Sequence, residues 1–163
     1  MTSTTPAEPT PTLFAWAGGA DALRRLTEVF YNRVLDDPVL APVFARMSPD
    51  HRAHVALWLG EVFGGPTTYT DELGGYPAML RHHLGLELTE EQRSRWAALI
   101  AASADEAGLP DDPEFRTALR DYMVWAVADV LEYAPVGSTV PAGVAMPHWS
   151  WDGLQPPTKE THG

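Results

Sequence analysis

Gly64-Gly65-Pro66 separates two stretches of the chain in which apolar residues return every three or four positions. Paired glycines followed by proline do not carry a helix forward, so these residues force separate helices with a corner between them. Upstream, Asp21 to Leu35 places Leu23, Leu26, Phe30 and Val34 on one helical face, and Asp36-Asp37-Pro38 ends that helix. Pro38 to Phe44 is an apolar connector whose prolines argue against regular structure of any length. Ser48 can cap and Pro49 suits a first turn, which predicts a helix through Val55, Leu59, Val62 and Phe63 up to the glycine break.

Beyond the break, the polar stretch Thr67 to Gly75 reads as a surface loop, and Pro77 opens a short helix reaching His83 or Leu84. Thr89 and Gln92 have the spacing of a capping box, opening a helix through Trp96, Leu99, Ile100 and Ser103 that stops near Gly108. Asp112-Pro113 is a comparable start, after which Phe115, Leu119, Tyr122, Met123, Ala126 and Val130 share one face of a helix ending before Pro135. No segment alternates apolar and polar residues for long, so the fold class is all-α. Three regions are expected: a disordered Thr- and Pro-rich leader over 1–11, one helical domain over 12–134, and a tail over 135–163. The tail carries His148, Trp149 and Trp151. Tryptophans are unfavourable to leave in water, so it is expected to pack back over an apolar patch in preference to recruiting a partner.

Composition removes several function classes. With 22 acidic against 11 basic residues the formal charge is −11, which repels phosphate backbones and anionic membranes and leaves no basic stripe for nucleic acid. No apolar run is long enough to span a bilayer, and the leader has neither the basic region nor the apolar run of a signal peptide, which points to the cytoplasm. Cysteine is absent, so disulfides, thiolate metal sites and cysteine nucleophiles are absent with it. Any metal must be held by histidine or oxygen ligands.

His83 and Trp96 are the candidate functional pair. A single histidine delivered by a short independent element is how a helical protein presents one axial ligand to a buried cofactor. His82 competes for that role, but successive helical side chains are turned by about 100°, so both cannot face the same point. Met79 lies one turn before His83 and shares its face.

Trp16-Ala17-Gly18-Gly19, Phe30-Tyr31, Asp37-Pro38-Val39-Leu40, Phe44, Gly64-Gly65-Pro66, Gly75-Tyr76-Pro77, His83 and Trp96 together resemble a truncated hemoglobin of group II, over roughly residues 13 to 133. The resemblance implies a two-over-two helical sandwich with a short first helix, holding heme b between its helices. It makes His83 the proximal iron ligand, Met79 a heme contact, and Tyr31 and Trp96 donors of hydrogen bonds to the iron-bound ligand. Phe44 takes the place of the aromatic that wedges against the heme, where many group II members carry tyrosine. Arg81 and His82 either meet a heme propionate or face solvent, and Leu86, in a Gly85-Leu86 pair replacing the usual Pro-aromatic pair, is a further heme contact.

Counting back from the glycine break puts His51 at the distal position, where the family usually has a small residue, with Val55 one turn later. His51 would there contact oxygen or ligate the iron itself. The other helical phase turns His54 and Trp58 inwards; in the favoured phase His54 lies near a propionate or in solvent. The function implied is a heme protein binding dioxygen and related diatomic ligands such as nitric oxide, with nitric oxide dioxygenation or peroxide reduction as redox chemistry served by an unidentified reductase. Two alternatives stand beside it: a non-heme metal site built from His51, His54 and His83, and a cofactor-free sensor or interaction module.

Overall fold

The helical periods of the sequence become seven α-helices among the described residues: α1 (Leu13–Ala17), α2 (Ala20–Asp36), α3 (His51–Val62), α4 (Thr68–Leu73), α5 (Gly75–His82), α6 (Glu90–Glu106) and α7 (Pro113–Glu132). The structure, a computed structural model, describes residues 10–45, 47–83, 88–132, 139–140 and 145–155. α2 packs on α3 and α6, and α6 packs on α7. Phe63, just past α3, meets Tyr122 of α7 edge-on at 5.2 Å, which closes a two-over-two sandwich. Leu23, Leu26, Phe30 and Val34 of α2 are all buried, as are Phe115, Leu119, Tyr122, Met123, Ala126 and Val130 of α7.

Local signals set several helix ends. The Thr89 hydroxyl accepts the Gln92 amide at 3.1 Å while the Gln92 side chain accepts the Thr89 amide at 2.9 Å, so both halves of the capping box form. The Asp112 carboxylate accepts the Phe115 amide at 3.1 Å and starts α7.

Elsewhere the structure departs from the sequence reading. The expected loop from Thr67 to Gly75 contains α4, with Tyr69 buried. Its cause is a remote partner: Glu61 of α3, itself buried, accepts the Thr70 amide at 2.8 Å and the Thr70 hydroxyl. α3 begins at His51, later than the Ser48-Pro49 signal, and its N-cap Asp50 makes no side-chain capping bond. The Ser48 carbonyl instead accepts the His51 amide at 3.1 Å. α5 begins at Gly75 rather than Pro77, which leaves the proline in a first turn where a missing N–H goes unnoticed. Between α2 and α3 the connector forms one turn of 3-10 helix, Ala41–Phe44. Asp37 anchors it by accepting the Val39 and Leu40 amides at 2.8 and 3.3 Å, and it also takes the Arg95 guanidinium N–H of α6 at 2.7 Å. Burial alone would raise that carboxyl, but Arg95 and the two amides outweigh it and hold Asp37 below its ordinary value.

Of the expected tail, the described stretch 145–155 lies against the domain, and most of the remainder lies outside the described residues. Two short strands, β1 (Trp149–Ser150) and β2 (Gly153–Leu154), pair antiparallel and lie against α7, burying Trp149. The Trp151 indole donates to the Pro11 carbonyl at 2.8 Å and meets the Trp16 ring at 5.7 Å. Residues 1–9 of the expected leader lie outside the described residues.

The glycine break has a steric reason beyond helix termination. A Cβ on Gly65 would stand 2.6 Å from a Phe14 ring carbon and 2.8 Å from the Gly60 carbonyl oxygen. The ring has room to turn, but the carbonyl is fixed in α3 and accepts the Gly65 amide at 2.7 Å. Gly65→Ala is therefore expected to destabilise the fold by about 1–3 kcal/mol, the usual range for overpacking. Urea unfolding reads this directly, and an unchanged midpoint would remove the close-approach argument.

Candidate functional site

One cavity gathers residues from nearly every part of the sandwich. Its wall is formed by Tyr31 of α2, Phe44, then His51, His54, Val55, Trp58 and Leu59 of α3, Tyr69 of α4, Met79, His82 and His83 at the end of α5, Leu88, Trp96 of α6, and Tyr122, Met123, Ala126, Val127 and Val130 of α7. Nine residues singled out in the sequence thus line a single space: Tyr31, Phe44, His51, His54, Val55, Met79, His82, His83 and Trp96. Arg81 does not: it is exposed and off the wall, because two helical steps turn it far round from His83. Leu86 lies outside the described residues.

His83 caps the C-terminus of α5, and its Nδ1 lies 2.7 Å from the Met79 carbonyl oxygen. A carbonyl only accepts, so Nδ1 carries the proton and donates it. The tautomer is thereby decided: Nε2 keeps its lone pair. Burial depresses the His83 pKa, partly opposed by that same hydrogen bond, so the ring favours the neutral form a metal requires. His82 is exposed and reaches the wall only as its neighbour.

A polar cluster forms where α2 meets α3. The Tyr31 hydroxyl and His51 Nε2 lie 3.0 Å apart, with their rings edge-on at 5.0 Å. Phe44 stands against both, 5.6 Å from Tyr31 and 6.3 Å from His51. Burial, together with repulsion from neighbouring His83, His54 and His82, pushes the His51 pKa down to about 4, so it is neutral at physiological pH. Burial raises Tyr31 as well, which keeps its phenol protonated. Trp96 is half-buried, packs edge-on against Phe30 at 5.3 Å, and its indole N–H has no protein acceptor among the described residues.

Trp58 and His54 line the wall alongside His51 and Val55, so the two helical phases of α3 are not exclusive. α3 is wedged between α2 and the cavity and is apolar around much of its circumference. The sequence reading missed Tyr69, Leu88 and the α7 residues as cavity lining. For α7 the signal was present, since its apolar face was recognised, but a core face and a cofactor-facing wall look alike in sequence.

The arrangement fits a flat apolar cofactor carrying a metal. It offers one neutral imidazole with a free Nε2, an apolar wall from Leu59, Met79, Met123, Ala126, Val127 and Val130, and a small group of O–H and N–H donors. Among the described residues no group of three or more His, Asp or Glu is placed to hold a metal ion, which leaves the non-heme histidine site without support. The model of the bacterial-like globin family matches residues 12–128.

The chain belongs to the bacterial-like globins.

Heme b is the cofactor of such globins, and ligand binding at heme iron is their activity. The chain is 31% identical over 91 residues to the group 2 truncated hemoglobin YjbI of Bacillus subtilis, spanning 56% of this chain and 68% of that protein. The crystal structure of the hemoglobin from Chloroflexus aurantiacus superposes with a TM-score of 0.65 at 30% identity, over 74% of this chain and 98% of that one. The group II truncated hemoglobin of Bacillus anthracis shares the fold with a TM-score of 0.67 at 23% identity, over 83% of this chain and 98% of its own. The resemblance to truncated hemoglobins read from the sequence therefore holds, as do the all-α sandwich and the heme. Among the described residues no helix is long and apolar enough to cross a membrane.

Proposed function

We propose that this globin binds dioxygen and related diatomic ligands at ferrous heme iron, with His83 as the iron ligand and Trp96, Tyr31 and His51 as the ligand-facing donors. The observation that carries the reading is the hydrogen bond from His83 Nδ1 to the Met79 carbonyl, which leaves Nε2 free for iron on an otherwise apolar wall. When bound, the heme supplies a redox-active iron that takes up a small gaseous ligand. The chain's own side chains do the rest. Met79 and the α7 residues exclude water, while the Trp96 N–H and Tyr31 O–H are fixed beside the space a polarised ligand would occupy. His82 at the rim of the wall and exposed Arg81 are the groups we assign to the propionate edge.

Clustered neutral donors favour ligands that take on negative charge, which supports redox chemistry such as nitric oxide dioxygenation or peroxide reduction over simple carriage. Repeated nitric oxide dioxygenation needs electrons from a separate reductase, and peroxide reduction draws on that reductase or on a small organic electron donor. The lack of cysteine agrees with a cytoplasmic setting. Absorption spectra of the ferric, ferrous and oxygenated protein test the reading, and no heme band after reconstitution would sink it in favour of the cofactor-free module.

His51 has two roles open to it, and its position favours one. Its Nε2 is engaged by Tyr31, so ligating iron through that atom would cost the Tyr31 bond. The expected ferric spectrum is therefore not that of a bis-imidazole low-spin heme, in the wild type or in His51→Ala. A bis-imidazole signature in the wild type that vanishes in the variant would assign His51 to the iron instead.

A further inference from the structure

The sandwich continues, through the folded-back tail, an aromatic path that begins on the cavity wall. Trp58 and Tyr122 both line the cavity, and the Trp58 indole donates to the Tyr122 hydroxyl at 2.8 Å. The Tyr122 ring meets Trp149 of β1 at 5.4 Å and Trp125 of its own helix at 6.1 Å, and Trp125 and Trp149 are 5.7 Å apart. Trp58 and Trp149 are buried, whereas Trp125 is half-buried and reaches solvent. The β1 segment that supplies Trp149 lies beyond the stretch matched by the globin family model.

We propose that Trp58, Trp149 and Trp125, bridged by Tyr122, form an electron relay that carries an oxidising equivalent from the cavity wall to the protein surface when peroxide is reduced at the heme.

The inference rests on the heme reading above and assigns the tail a role in it. Hydrogen peroxide accepts two electrons and two protons, its O–O bond breaks, and two waters leave. Each electron drawn through the relay leaves Trp125 one electron short, and its indole proton passes to solvent. A phenol in solution then returns an electron and a proton to Trp125, so two phenols become two phenoxyl radicals per peroxide.

The chemistry of each position suits this division. An indole can lose an electron while keeping its proton, whereas a phenol must shed its proton to be oxidised at accessible potentials. Burial opposes ionisation of Tyr122, which makes it a bridge and not a stopping point. The buried Trp149 N–H has no acceptor among the described residues, so an electron vacancy there has nowhere to discharge its proton and moves on. Among the described residues, only Trp125 combines ring contact with this path and access to water. Trp16 is 45% exposed, but among the described residues its one aromatic ring contact is Trp151, and no ring contact joins Trp151 to Trp149.

The test treats the ferric heme-loaded full chain with stoichiometric hydrogen peroxide and no added phenol. Freeze-quench electron paramagnetic resonance reads the radical, and peptide mass spectrometry locates oxygen addition on tryptophan. The relay predicts an indole radical and labelling of Trp125 ahead of the more exposed Trp16. In Trp149→Phe, Trp125 labelling should fall several-fold while oxidation of Trp58 and Met79 rises. In Trp125→Phe, labelling should retreat to Trp149 with the heme band retained, which guards against a misfolded first variant. Trp16 labelled first, equal labelling of Trp125 in heme-free protein, or a Trp149→Phe pattern like the wild type would each overturn the relay while leaving heme binding intact. A chain that takes up no heme, seen in the spectrum before peroxide is added, would overturn both.

Discussion

His83→Ala is expected to strip the globin of stable heme, while His82→Ala leaves heme binding within a few-fold of the wild type. The two histidines are adjacent, so composition, net charge and helix propensity change almost equally in the two variants. They differ in what surrounds the ring. His83 is half-buried on the wall, its Nδ1–H is committed to the Met79 carbonyl, and its Nε2 keeps the lone pair that the proposed iron ligation uses. His82 is exposed, with no such constraint on its tautomer. Outer-shell changes alone weaken metal sites by about 10–100-fold, so losing the ligand itself should exceed about 100-fold in the rate of heme loss. Transfer of heme to a scavenging apoglobin, followed by absorbance, measures that rate for both variants. Rapid loss from His82→Ala with retention in His83→Ala would reverse the assignment.

Oxygen release should accelerate in Trp96→Phe and in Tyr31→Phe, by about 10–100-fold for a donor whose bond to a charged partner is worth about 1.5–3 kcal/mol. Phenylalanine keeps an aromatic ring in each place, so the N–H or O–H is the main difference. The two effects need not match. Trp96 has no competing protein acceptor among the described residues, whereas the Tyr31 hydroxyl lies 3.0 Å from His51 Nε2. If His51 carries its proton on Nε2, it donates to Tyr31 and the phenol proton is left for the ligand. In the other tautomer Tyr31 donates to His51 and contributes less. The larger effect is therefore expected at Trp96, with a non-additive double variant because both donors address one ligand. Stopped-flow release into excess carbon monoxide gives all three rates, and wild-type rates in both single variants would remove these residues from the distal site.

Helix-forming stretches could be read from the chain because their signals are local. A period near 3.6, a Thr89–Gln92 capping box, and Gly64-Gly65-Pro66 each act over a few residues, and the same chemistry operates in any chain that carries them. α4 escaped that reading because its reason is not local. Thr67 to Gly75 looks polar and loop-like until Glu61, from a different helix, satisfies the Thr70 amide and hydroxyl. Trp58 and the α7 face could be recognised as apolar in sequence, yet nothing there told a cavity wall from an ordinary core, and Tyr69 was hidden in the polar stretch. The tail gives the same lesson at greater distance, since its tryptophans predicted packing but not that Trp149 would lie on Tyr122.

By itself, then, the chain's order of residues determined an all-α sandwich, its corners, and a motif set that singled out His83, Trp96 and Tyr31, which line one cavity. Only the tertiary structure decided that His83 donates through Nδ1, that His51 pairs with Tyr31, and that His54 and His51 share the wall. The division follows from range. Periodicity and capping are set by neighbours within a turn, whereas a tautomer, a ring contact or a buried carboxylate's partner depends on which distant segments packing brings within hydrogen-bond reach.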